Sequence, residues 1–398
     1  MKRILLPSVL LLFSAALVFS VDYGLLVNQD FEATNEKSSY TPALTPWFSW
    51  SDGEGTSVYF SSIFSLNYYS YDSGLAGGSG WVKPLLRPEL SYCVMSHRIS
   101  PWYSIEVGRI EYADVMGFTA SGLFDGFRFE AVTSLGNINA GAFYTGFLYK
   151  ETAEVLMTAY DTYRYAKAWN GNFDSYGASR RTFTAVRWDL PIGEANTLSA
   201  EALLQFDLNN TDDILNSQYG EVQMVFYPAD MPEITIGALF EIMENKDRDF
   251  TAAWGTLARA RMDVPGSLND RLGVTIKLSS GQGDNTLTAV VPISARTQGM
   301  VFPGTISGLA YLSADYVVRV FDSLLINSSL RYFGRTYNDS AAKGNLYGGE
   351  FWASAAWQPF DDIRLTLGGG IFFPGLGNIY PDGTDPMWKF IAGLSLSF

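Results

Sequence analysis

The chain has 398 residues, a formal net charge of −14 at pH 7, one histidine and one cysteine. Its acidity excludes a nucleic-acid binder, which needs a basic surface. The single Cys93 excludes an intramolecular disulfide, and with the single His97 it excludes the usual zinc constellations.

The N-terminus reads MKRILLPSVLLLFSAALVFS. Lys2 and Arg3 precede an apolar run from Ile4 that ends in small residues near Ser20, which predicts a secretory signal peptide over 1–20; a membrane anchor helix is the alternative. Residues 21–398 then form a single barrel domain of formal charge −16, with no later stretch of 18 uninterrupted apolar residues.

From there on, one alternation recurs. In LSAEALLQFDL (198–208), Leu198, Ala200, Ala202, Leu204, Phe206 and Leu208 share a face opposite Ser199, Glu201, Leu203, Gln205 and Asp207. RLGVTIKLS (271–279), EITIGALFEI (233–242) and DIRLTLGG (362–369) divide in the same way. Such segments run to about ten residues, the length a tilted strand needs to cross a bilayer, with aromatics such as Trp188, Trp254, Tyr316, Tyr332, Trp357 and Trp388 near the ends of the apolar face. The fold class expected is all-β: a transmembrane antiparallel up-and-down β-barrel. Short turns (133–137, 191–195, 227–232, 264–270, 321–323, 358–362) alternate with longer connections, as periplasmic turns alternate with outer loops. Strands are expected at 22–33, 43–51, 56–69, 87–98, 102–111, 122–133, 136–150, 181–191, 196–208, 217–228, 233–244, 249–264, 269–279, 305–320, 323–334, 346–358, 362–373 and 387–398. That makes about 18 strands, with 16 as the alternative because the first two are weakest. The alternation holds if 280–304 is one outer loop despite its apolar TAVVPISA, where Pro292 argues against a strand.

The stretch WYSIEVGRIEYADVMGFTASGLFDGFRFEA (102–131) places Gly108 and Arg109 at a strand end, then Asp114, then Asp125 and Gly126 opening the next strand. This resembles alginate-export-type and related substrate-selective porins of bacterial outer membranes. The tail is similar too, with Gly349 and Glu350, then LGGGIFFPGLG (367–377), then a last strand ending in Phe398. The resemblance covers about a fifth of the chain and implies an 18-stranded barrel with an arginine-rich path for an anionic polysaccharide. The mixed inward charges do not single out alginate. Phe398 resembles the signature read by the barrel-assembly machinery and also suits an interface aromatic.

Alternation places Arg128, Arg187, Arg259, Arg261, Lys277, Arg319, Arg331 and Arg364 on the inner face, with Glu130, Asp189, Glu201, Asp207, Glu221, Glu241, Asp263, Asp315 and Glu350. As a set they form a pore lining; individually they also suit cross-strand pairs that brace the wall. Loop 151–180, with Tyr160, Tyr163, Tyr165 and Trp169, and loop 280–304 are candidates to fold inward. His97 is expected at the periplasmic turn, away from any base–nucleophile constellation, so no enzyme activity is expected. No cofactor or metal is called for. The expected function is porin-like diffusion of small hydrophilic, anionic or saccharide solutes across a bacterial outer membrane, with membrane lipid as surroundings. A structural or adhesive barrel with a blocked lumen and partner-binding loops is the alternative.

Overall fold

The computed structural model describes residues 20–71, 80–81, 86–158, 161, 175–209, 215–228, 232–244, 250–266, 269–282, 288–337 and 344–398. The expected leader lies outside these residues except for Ser20, which opens the first strand. The eighteen staves are β1 Ser20–Thr34, β2 Lys37–Ser51, β3 Thr56–Leu66, β4 Leu86–Ser100, β5 Tyr103–Ala113, β6 Ser121–Thr133, β7 Gly136–Tyr144, β8 Arg181–Ile192, β9 Asn196–Asp207, β10 Asn216–Phe226, β11 Glu233–Glu244, β12 Phe250–Val264, β13 Asn269–Ser279, β14 Leu309–Phe321, β15 Leu324–Arg335, β16 Leu346–Phe360, β17 Ile363–Phe373 and β18 Met387–Ser397. Tyr68–Tyr71 prolongs β3 along β2, and Gly80–Trp81 pairs back on it.

Each stave pairs antiparallel with the next, and β18 returns to β1, from Leu26↔Ser397 to Thr34↔Lys389. Phe398 completes the seam: its N–H donates to the Leu25 carbonyl (2.9 Å) and its carbonyl accepts from the Leu25 N–H (3.0 Å). The terminal residue thus extends the closing ladder while its ring stays exposed. Closure gives every stave among the described residues a partner on both sides, the condition for a sheet to sit in hydrocarbon.

Alternation then sorts the side chains. Leu204, Ile236, Val274, Ile276 and Leu312 are exposed on the outside, and the expected interface aromatics Trp188, Trp357 and Trp388 are exposed as well. The residues between them turn inward. We call the end carrying the chain termini the near rim and the opposite end the far rim.

Three strand boundaries differ from those expected. The second strand starts at Lys37 and not at 43, so the first far-rim connection is the tight turn Asn35–Glu36. Pro42 and Pro46 pair with Gln29 and Leu25 of β1, but both fall where the pairing of β2 with β3 is interrupted, so their missing N–H groups cost no bond there. The seventh strand stops at Tyr144 because Thr145 turns the chain: its N–H donates to the Arg181 carbonyl (3.0 Å) and its hydroxyl accepts from the Arg181 N–H (3.1 Å). The strand expected from 305 begins at Leu309. TAVVPISA forms no strand among its described residues and touches another segment through an isolated bridge, Ser294↔Val155.

The near-rim turn at 52–55 shows how these hairpins are held. One Asp52 carboxylate oxygen accepts the N–H groups of Glu54, Gly55 and Thr56 (2.8, 2.9 and 2.8 Å), while Gly53 takes φ +72°. Hydrogen bonds from Thr56, and then from Glu54 and Gly55, hold this carboxyl at about 2. A depressed carboxyl contributes stability above its unfolded value and loses it as pH falls through the folded one. Carboxyl NMR titration should therefore give Asp52 a midpoint near 2, with the turn intact at pH 4. A second prediction concerns the outer belt. Val274→Arg should destabilise the protein in bilayers by about 2–4 kcal/mol, while Asn327→Arg on the inner face stays near neutral, as measured by reversible unfolding into vesicles.

Candidate functional site

The inner wall between β5 and β14 is not left to water in its far-rim half. Connection 114–120, DVMGFTA, folds into the lumen. Asp114 shapes it, accepting the N–H groups of Phe118 (2.9 Å), Thr119 (3.1 Å) and Ala120 (2.7 Å), with Gly117 at φ +67°. The loop then meets the wall at β9 and β10. The Val115 N–H donates to Glu201 (2.7 Å), the Met116 N–H to Glu221 (3.1 Å) and the Thr119 hydroxyl to Glu221 (2.6 Å). Gly237 and Gly255 leave space for Met116 and Phe118, since an added Cβ would meet those side chains at 3.2 and 3.1 Å.

Residues 288–308 lie across the first. The Ile293 and Ser294 N–H groups donate to the Thr119 carbonyl (2.7 and 3.0 Å). The Val291 N–H donates to Glu241 (2.9 Å), and the Tyr219 hydroxyl donates to the Val291 carbonyl (2.6 Å). Further along, Glu350 accepts from the Met300, Val301 and Phe302 N–H groups (2.9, 2.9 and 2.8 Å) and from Arg331 (2.7 Å). Ile110, Met116, Phe118, Phe143, Phe183, Val290, Ile293 and Ile306 pack into one buried apolar cluster beneath these contacts. Four wall glutamates, on β9, β10, β11 and β16, thus serve as acceptors for the backbone of inward loops. A buried N–H without an acceptor costs roughly 1–3 kcal/mol, and each carboxylate removes that cost.

Below the loops the wall is wet and charged. A cavity of about 850 Å³ is lined by Arg259, Arg261, Arg271, Lys277 and Arg319, against Asp263, Asp270 and Asp315. Arg271 pairs with Asp263 (2.7 Å), and Arg261 approaches Glu233 at 4.0 Å. Arg259 and Arg319 form no ion pair among the described residues. Lys277 stands where cavity and loops meet. It donates to the Gln298 side chain (2.8 Å), with the Phe118 and Tyr311 rings 5.4 and 5.5 Å away. Across the barrel, a smaller cavity of about 290 Å³ on β6–β9 holds paired charges: Arg128 with Glu106 (2.5 Å) and Glu130 (3.5 Å), and Arg187 with Asp189 (2.9 Å).

The residues expected to line a pore therefore separate by task. Arg259, Arg261, Lys277, Asp315 and Arg319 converge on the large cavity. Arg128 and Arg187 face the smaller one as ion pairs. Arg364 is exposed on β17. Glu201 and Glu350 are buried as loop anchors, and Arg331 braces Glu350. Asp207 does not line open water: it is buried with Arg181 and Asp161 under the far-rim loops, at 3.4 Å from Arg181, because the chain folds back over the end of β9.

The motif residues are structural. Arg109 is buried and donates to both Asp125 oxygens (2.8 Å each) and to the Leu90 and Phe147 carbonyls, in the wall where β4 stops pairing with β5. Gly108 and Gly126 face each other one pair away, and a Cβ on Gly108 would strike the Cys93 carbonyl. Asp114 shapes the inward loop.

Loop 280–304 folds inward as a candidate should. The aromatic stretch of loop 151–180, including Tyr160, Tyr163, Tyr165 and Trp169, lies outside the described residues. Connection 114–120 was not singled out from sequence, although a charge-free VMGFTA after Asp114 is a poor surface loop and was the available signal. Glu221 and Glu241 were read as inward charges but not as anchors. His97 sits exposed at the near rim, its Nδ1 3.0 Å from the Thr56 hydroxyl.

Removing an anchor tests this geometry. Glu350→Ala should expose the Met300–Phe302 amides to hydrogen exchange and destabilise the fold by about 3–5 kcal/mol, because Arg331 and three N–H groups lose their acceptor.

No protein-family model matches the chain, and no curated protein matches it. Solved structures do. The crystal structure of Pseudomonas aeruginosa OccK5 (OpdH) superposes with a TM-score of 0.61 at 9% identity, covering 95% of this chain and 98% of that one. The outer membrane protein opdK from Pseudomonas aeruginosa gives 0.58 at 9% identity, covering 95% and 99%. Pseudomonas aeruginosa OccK2 (OpdF) gives 0.58 at 12% identity, covering 95% and 98%. The fold of this chain is the closed 18-stranded antiparallel barrel that these proteins share.

Proposed function

We propose that the protein is a substrate-selective diffusion channel of a bacterial outer membrane, admitting small hydrophilic solutes and favouring anions. The observation that carries this reading is the large lumen cavity. A chain of net charge −14 gathers five cations there against three carboxylates, with Arg259 and Arg319 unpaired among the described residues. Fixed cations on the wall of a water-filled path raise the local concentration of anions and set which solutes enter. The near rim then faces the periplasm and the loops narrow the path from outside. The likeness to outer-membrane porins supports both setting and class. The solved structures of like fold include Pseudomonas aeruginosa OpdK with vanillate.

The finer kinship with alginate-export-type porins loses weight, because Gly108, Arg109, Asp114, Asp125 and Gly126 shape wall and loop and do not face the charged cavity. Phe398, seated in the closing ladder, suits recognition by the barrel-assembly machinery. The second reading, a blocked barrel used for structure or adhesion, draws on the buried loop cluster across β5–β14.

Planar-bilayer recording separates the two. The protein should conduct, and its reversal potential across a salt gradient should report anion preference. Arg259→Gln with Arg261→Gln should move that potential toward cation preference. A tight seal at all voltages favours the blocked barrel.

A further inference from the structure

On the opposite wall, β2, β3 and β4 carry Trp47, Tyr59 and Tyr92 on their inner face. Their inward placement follows from the neighbours: Phe48, Leu44 and Met95 are exposed on the outside, and each of the three rings alternates with them. Register packs the three together. Gly24, Trp47, Ser61 and Tyr92 form one row across β1–β4, and Asp22, Ser49 and Tyr59 form the next row toward the near rim. The Trp47 and Tyr59 rings are 6.3 Å apart with planes 22° from parallel, and Tyr59 meets Tyr92 at 6.1 Å.

The residues between the rings are small. A Cβ on Gly24 would come within 2.8 Å of the Trp47 ring, so the indole leans over the β1 backbone. Ser61, between Trp47 and Tyr92, is 2% exposed. The rings themselves stay partly exposed to the lumen. Their polar groups are also unspent: among the described residues neither the Trp47 Nε1–H nor the Tyr59 and Tyr92 hydroxyls find a hydrogen-bond partner in the chain. Two other inward tyrosines differ, since Tyr112 donates to Glu201 (2.5 Å) and Tyr219 to Val291. A barrel interior is ordinarily polar, so a cluster of partly exposed rings with free donors calls for an occupant.

We propose that Trp47, Tyr59 and Tyr92 form a docking platform for a neutral saccharide. The C–H face of a pyranose ring is apolar and stacks on an aromatic face. Its hydroxyls accept from the indole N–H and exchange hydrogen bonds with the phenols. The neighbouring residues favour a neutral occupant over an aromatic anion: Gly24, Ser49, Ser61 and Asp22 supply a carboxylate and no cation. Nine strands separate β3 from β12, which puts the platform across the barrel from the cationic cavity, as a separate contact for solutes in the same lumen. The platform rests on the reading of an aqueous lumen.

Equilibrium dialysis of labelled maltotriose against the detergent-solubilised, folded protein tests it directly, with heat-modifiable gel mobility as the folding check. Wild type should bind saturably. Trp47→Ala and Tyr92→Ala should each raise the half-saturation concentration about threefold to tenfold. Trp47→Phe and Tyr59→Phe, which keep a ring, should raise it less and guard against misfolding of the alanine variants. No saturable binding by wild type, or equal binding by all variants, overturns the platform. Bilayer recording on the same preparation keeps the two readings apart. Conductance without maltotriose binding removes the platform and keeps the channel. Binding without conductance removes the channel and keeps the platform.

Discussion

Every backbone N–H and C=O that hydrocarbon surrounds must bond within the protein, because lipid tails offer no partner. For a sheet the solution is a closed ring, and the rest of this structure follows from it. The seam between β1 and β18 reaches the last residue, where Phe398 exchanges both of its backbone bonds with Leu25. Once the ring is closed, each strand has one face outward and one toward the lumen. The alternation of Leu204, Ile276 and Leu312 with charged or polar neighbours is that division written along the chain.

The same demand reappears inside. Connections 114–120 and 280–308 bring backbone N–H groups into a lumen packed with apolar side chains, where water is displaced. The wall answers with carboxylates: Glu201, Glu221, Glu241 and Glu350 accept those N–H groups. Inward charge therefore has two physical roles. Toward the far rim, acids are buried and bonded to loop backbone. Lower down, Arg259 and Arg319 line the charged cavity without an ion pair among the described residues. In the channel proposed above, solute selection would fall to the second group and the shape of the constriction to the first.

Glycine and serine act where close approach is required. Gly237 and Gly255 admit Met116 and Phe118 to the wall, and Gly24 admits the Trp47 ring. In each case a neighbouring aromatic or apolar group occupies the volume that a side chain would fill.

The strand number and the outward facing of the apolar residues were legible in the sequence, because strand geometry has a period of two and a bilayer sets the length, whereas the first far-rim connection is a tight turn and breaks the expected alternation of short and long. That β2 begins at Lys37 and takes in Pro42 was not legible, because whether a proline is acceptable in a strand depends on which neighbouring strand needs the N–H, and that is a property of the pair. The loop anchors were not legible. Glu201 and Arg259 look alike along the chain as inward charges, and their fates separate only when residues far apart meet. Val115 reaches Glu201 across 86 residues and Val301 reaches Glu350 across 49. Local periodicity determined which way each side chain faces; the tertiary structure decided whether it finds water, an opposite charge or the backbone of a returning loop.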